Sequence, residues 1–123
     1  MEQIRVLVVD DELFVGDLLQ EYLTLKEYEV MTVSNGEDAL RVFSEFDPHI
    51  IILDIRMPGM SGMDVLKTVK EKSPTTGVIM LSAYGDPDTI VEALKSGADH
   101  YLQKPVNLKH LTETLQLMYP RRE

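Results

Sequence analysis

Three short runs in this chain contain only apolar residues: Val6-Leu7-Val8-Val9, Ile50-Ile51-Ile52-Leu53 and Val78-Ile79-Met80-Leu81. No other feature constrains the fold as much. A strand with one face in water alternates apolar and polar residues, whereas a strand that is apolar at every position is buried on both faces, as in parallel sheets covered by helices. Residues 4–9, 29–33, 50–53, 77–81 and 100–102 read as strands, and segments with helical spacing separate them.

The helical segments have their own signals. Residues 13–27 place Val15, Leu18, Leu19, Tyr22 and Leu23 on one face. Asn35-Gly36 reads as a turn, and an amphipathic helix over 37–46 stops before Pro48. Pro58-Gly59 and Ser61-Gly62 mark a loop. Met63, Leu66 and Val69 then line a helix that ends before Pro74. Asp86-Pro87 offers an N-cap and a first-turn proline for a helix to about Ser96, with Gly97 as its stop. The last helix covers roughly 107–118, with Leu108, Leu111, Leu115 and Met118 on one face. Five alternations of strand and helix predict an α/β, doubly wound, mostly parallel sheet with right-handed crossovers.

The runs end in reactive groups. Asp10 and Asp11 follow the first run, Asp54 the second and Ser82 the third, and Lys104-Pro105 closes the short fifth strand. In open parallel sheets ligands sit outside the carboxyl ends of the strands, where these residues would meet. Two carboxylates ~5 Å apart at an effective dielectric of ~20 repel by roughly 3 kcal/mol, so a site holding three needs counter-charge. Mg²⁺ supplies it: it is a hard cation that takes carboxylate and phosphate oxygens, and Mn²⁺ is an alternative. Formally, three aspartates are balanced by a divalent ion and Lys104. Such a site suits phosphoryl transfer to a carboxylate. Asp54, alone at its strand end, is the candidate nucleophile, Asp10 and Asp11 the candidate metal grip, and Ser82 and Lys104 the candidate phosphoryl-binding groups. Each piece has a plainer reading, since an Asp pair after a strand is often a cap and turn. The signal lies in their conjunction.

Composition narrows the field. At 123 residues and 44% hydrophobic the chain reads as one domain with a real core. Cysteine is absent, which removes disulfide and zinc–thiolate chemistry. The net charge of −9 argues against nucleic-acid binding. No apolar run approaches the ~18 residues of a membrane span, and the start lacks the pattern of a signal peptide, so a cytoplasmic location is expected. His49, His100 and His110 are scattered, and Met57, Met60 and Met63 read as packing or loop residues.

The quoted pieces together resemble the receiver domain of two-component response regulators: Val8-Val9-Asp10-Asp11-Glu12, Leu53 through Gly62, Leu81-Ser82-Ala83, Ala93 through Asp99, and Tyr101-Leu102-Gln103-Lys104-Pro105. The resemblance covers residues 4–118. It implies a flavodoxin-like (βα)5 sheet of strand order 2-1-3-4-5 over a domain of 1–119, with 120–123 as a tail or linker stump. Asp54 would accept a phosphoryl group from a sensor histidine kinase, a phosphotransfer protein or a small phosphodonor. The domain would thus catalyse its own phosphorylation and dephosphorylation without being a metabolic enzyme. Asp10, Asp11, Asp54 and the Arg56 backbone carbonyl would hold Mg²⁺, and Ser82 and Lys104 would bind phosphoryl oxygens. The Lys104–Pro105 peptide would be cis. Ser82 and Tyr101 would form the switch, changing the face of helix 86–96, strand 100–102 and helix 107–118. That face would then control an effector domain or protein, or a phosphorylation-dependent homodimer, with no nucleic-acid or membrane contact of its own. Arg56 and Tyr84 would tune hydrolysis of the acyl phosphate.

Other classes fit less well. An aspartyl-phosphate phosphohydrolase of the haloacid dehalogenase type carries Asp-x-Asp after its first strand and usually a substrate cap, and here the pair is contiguous and no length is spare. A flavodoxin needs a hydroxyl- and glycine-rich phosphate loop after the first strand. A pseudo-receiver would lack acceptor-site residues, all of which are present.

Overall fold

The structure, a computed structural model, describes residues 3–83 and 87–120. Five strands and five helices alternate: β1 (Arg5–Val9), α1 (Leu13–Leu25), β2 (Glu29–Val33), α2 (Gly36–Phe46), β3 (Ile50–Asp54), α3 (Gly62–Lys72), β4 (Gly77–Ser82), α4 (Pro87–Lys95), β5 (His100–Gln103) and α5 (Leu108–Met118). The strands form one sheet in the order β2-β1-β3-β4-β5, and every pairing is parallel.

The apolar runs serve two cores at once. Successive strand residues point to opposite faces. Leu7, Val9, Ile51, Leu53, Val78 and Met80 therefore pack with α2, α3 and α4 through Val42, Phe43, Val65, Leu66, Val69 and Ala93. Val6, Val8, Ile50, Ile52, Ile79 and Leu81 pack on the other face with Leu19 and Leu23 of α1 and Leu111 and Leu115 of α5. The three central strands are almost wholly buried, while edge strand β2 is mostly exposed or half-buried.

Local corrections have physical causes. Helix α1 stops at Leu25 rather than residue 27, because Glu27 takes a left-handed φ of 70° and the Tyr28 N–H bonds the Leu23 carbonyl. Its Leu18 is exposed, so the buried stripe is narrower than expected. Asn35 is the N-cap of α2, its side chain accepting the Asp38 N–H at 2.8 Å, and Gly36 is already helical. Ser61 likewise caps α3 in a reciprocal capping box with Asp64, so Gly62 begins that helix rather than belonging to the loop. Gly97, at φ 108°, ends α4 as expected, and the expected Asp86 cap lies outside the described residues.

Candidate functional site at the strand ends

Parallel registration brings the carboxyl ends of β1, β3, β4 and β5 to one edge. Val9 aligns with Leu53, Asp54 with Leu81 and Ser82 with Gln103. The ladder continues past the strands: Ile55 N–H donates to the Leu81 carbonyl and Lys104 N–H to the Ser82 carbonyl. Asp10, Asp54 and Ser82 are buried there, at 2%, 5% and 3% exposure.

The Lys104 ammonium joins the carboxylates. It lies 2.9 Å from Asp10 Oδ2, 2.6 Å from Glu12 Oε1 and 3.2 Å from Asp54 Oδ2. Two further oxygens are held by backbone, with Glu12 N–H donating to Asp10 Oδ1 at 2.9 Å and Arg56 N–H to Asp54 Oδ1 at 3.1 Å. The Lys104–Pro105 peptide is cis.

The electrostatics follow from this packing. Burial, reinforced by the Asp10 charge, pushes the Asp54 carboxyl up from 3.8 to about 6, against the opposing pull of Lys104 and the Arg56 N–H. Burial disfavours the Lys104 charge, but the contacts with Glu12 and Asp10 and the charges of Asp54 and Asp10 outweigh it, so its pKa rises. The ammonium thus stays charged, and Asp54 is predominantly ionised at neutral pH.

Not every expected residue joins the cluster. Oxygens of Asp10, Glu12 and Asp54 lie within 4.8 Å of one another, a group that could hold a metal ion, and Asp11 is exposed outside that group. Glu12 was missing from the site residues expected from sequence. The contiguous acids Asp10-Asp11-Glu12 were the available signal. Both later acids are exposed, and which of them reaches Lys104 depends on the Asp10–Glu12 turn, which sets Glu12 at the N-cap of α1. Tyr101 is half-buried against the α2–α4 core, and Arg56 is exposed. Tyr84 lies outside the described residues. None of the three histidines belongs to the acidic group.

A doubly wound parallel sheet with buried carboxylates and a lysine at its carboxyl edge defines the class: an open α/β protein whose charged groups stand where such sheets take their ligands. Within that class the chain belongs to the response regulator receiver domain family, which it matches over residues 6–116. It is 40% identical over 108 residues to the regulatory protein LuxO of Vibrio cholerae, covering 88% of this chain and 24% of LuxO. It is 36% identical to the chemotaxis protein CheY of Thermotoga maritima, covering 90% of this chain and 93% of CheY. The crystal structure of Vibrio cholerae CheY4 superposes with a TM-score of 0.90 at 32% identity, over 95% of this chain and 99% of that one. The chain therefore spans about a quarter of LuxO and nearly all of CheY. Among the described residues no helix is long and apolar enough to cross a membrane.

Receiver domains use Mg²⁺ at an acidic pocket, and the residues here fit that ion. Asp10 Oδ2 is buried and ion-paired yet accepts no well-aligned hydrogen bond, which leaves a hard lone pair available. Three carboxylates against one ammonium leave a formal charge of −2 for a divalent cation to match.

Proposed function

We propose that this domain is a phosphorylation-controlled switch in which Asp54 accepts a phosphoryl group from the phosphohistidine of a sensor kinase or phosphotransfer protein, or from a small phosphodonor. The observation that carries this reading is the Lys104 ammonium held against Asp10, Glu12 and Asp54 at one sheet edge. A nucleophile must be ionised and oriented, and Asp54 is both, with one oxygen on the Arg56 N–H and the other beside Lys104.

An Asp54 oxygen attacks phosphorus as the P–N bond breaks, and the electron pair stays on the imidazole nitrogen, which takes up a proton. Lys104 moves no proton in this step. It acts as a fixed positive charge beside the transferring oxygens, where preorganised charge lowers the barrier most. Bound Mg²⁺ would neutralise phosphoryl charge, and Asp10, Asp11, Asp54 and the Arg56 carbonyl would hold it, the first two directly or through water. Glu12 is the acid that Lys104 can release when a phosphoryl group competes for its ammonium.

Ser82, at the end of β4, would donate to a phosphoryl oxygen, and Tyr101 would move further into the core, altering the α4-β5-α5 face that meets an effector or a second copy. Arg56 and Tyr84 would limit water at the acyl phosphate. The test is intact-mass analysis after incubation with acetyl phosphate. One phosphoryl adduct is expected with Mg²⁺ and none in chelator. Turnover of many phosphate monoesters would instead mark a hydrolase.

A further inference from the structure

We infer that Gly62 is a positioning residue for Asp54: the missing side chain at the start of α3 is the space in which the acceptor's own peptide lies. This rests on the reading of Asp54 as phosphoacceptor. The Gly62 N–H donates to the Ile55 carbonyl at 2.9 Å, drawing the first turn of α3 onto the end of β3. A Cβ at Gly62 would overlap the Asp54 carbonyl oxygen and stand 2.8 Å from Ile55 Cα and 2.9 Å from the Asp54 carbonyl carbon.

The identity of these neighbours makes the site distinctive. At Gly77 a Cβ would meet the flexible tip of the Met118 side chain at 2.5 Å, and at Gly36 it would meet the side chains of Met60 and Val65 at 2.9–3.0 Å. Among the described glycines, only Gly62 has backbone atoms inside 3.0 Å. No left-handed φ is involved at this position, so the requirement is for space alone.

Neither side of the contact can retreat cheaply. Helix α3 is anchored by Val65, Leu66 and Val69, all buried, and by its capping box. The Asp54 peptide is held on its far side by the Ile55–Leu81 hydrogen bond. A methyl group at residue 62 therefore displaces Asp54, whose contacts to Arg56 N–H and Lys104 are already 3.1 and 3.2 Å. Small misplacements of a reacting group cost about 10- to 100-fold in rate.

The experiment compares Gly62→Ala with Gly77→Ala, an equally buried crowding at the opposite end of the sheet. Three readouts are taken: the initial rate of phosphorylation by acetyl phosphate, Mg²⁺ affinity by calorimetry, and the Arg56 amide resonance of the metal-free protein. Gly62→Ala should shift the Arg56 amide, weaken Mg²⁺ severalfold and slow phosphorylation at least about 10-fold, while Gly77→Ala keeps all three. A folded Gly62→Ala with parental values overturns the inference. Should Gly62→Ala not fold, the cap variants Ser61→Ala and Asn107→Ala decide. Both lose one helix cap, since Asn107 caps α5 by accepting the His110 N–H at 3.0 Å, but only Ser61→Ala loosens the turn on Asp54, so equal Arg56 shifts and Mg²⁺ affinities in the two also overturn it. A parent that takes no phosphoryl group refutes the Asp54 reading instead, and the amide shift and Mg²⁺ titration still test Gly62.

Discussion

Replacing Asp54 by asparagine should stabilise the metal-free protein, and the gain should depend on pH. Asp54 titrates at about 6 in the fold against an ordinary 3.8. A carboxyl raised by that much disfavours the folded state on the order of 3 kcal/mol once it is ionised in both states. The sign follows from proton uptake. Below about pH 3 the group is protonated folded and unfolded, and it contributes nothing. Between about 4 and 6 the folded state holds a proton that the unfolded chain has lost, so parental stability falls as pH rises. Above 6 the loss is complete. The asparagine amide has no charge to bury, and its oxygen can still accept the Arg56 N–H. Asp54→Asn should therefore match the parent near pH 3 and exceed it by about 2 to 3 kcal/mol at pH 8. For a chain of 123 residues that is a rise of about 10 °C in Tm. Urea unfolding in chelator at several pH values measures it. A variant less stable than the parent at pH 8, or a difference that ignores pH, refutes the electrostatic reasoning.

Lys104→Met removes the counter-charge shared by Asp10, Glu12 and Asp54. It should cost the metal-free protein on the order of 3 kcal/mol at pH 8, and less as Asp54 takes up its proton on acidification, which the same urea series would report. Mg²⁺ at a hundred times its Kd should add about 2.7 kcal/mol to the parent, a gain that thermal unfolding should find missing in Asp10→Asn. In Arg56→Ala/Tyr84→Ala the acyl phosphate should decay faster than in the parent, followed by loss of the phosphoryl mass with time; unchanged or slower decay contradicts the tuning role.

The doubly wound sheet was legible because burial on both faces leaves a direct mark: Ile50-Ile51-Ile52-Leu53 has no polar side to expose, and it feeds both cores. The strand order was not legible in the residues themselves. No local pattern says that β1 lies between β2 and β3, and that order came with the family resemblance. Element ends were hidden where an unusual residue performs the task, as when Glu27 takes the left-handed turn that glycine usually takes. The site was legible to the extent that parallel strands present all their carboxyl ends at the same edge, which places Asp10, Asp54, Ser82 and Lys104 together. Glu12 escaped notice because its inclusion depends on side-chain reach from the N-cap of α1, and Gly62 because a requirement for empty space has no chemical signature.

The most direct test of the account is chemical identification of the modified residue. After incubation with Mg²⁺ and acetyl phosphate, borohydride trapping and peptide mass analysis should find the reduced acyl phosphate at residue 54 alone, and Asp54→Asn should give no trapped product. A trapped product at Asp10, Asp11 or Glu12 in the parent, or one that persists in Asp54→Asn, would contradict the claim that Asp54 is the phosphoacceptor.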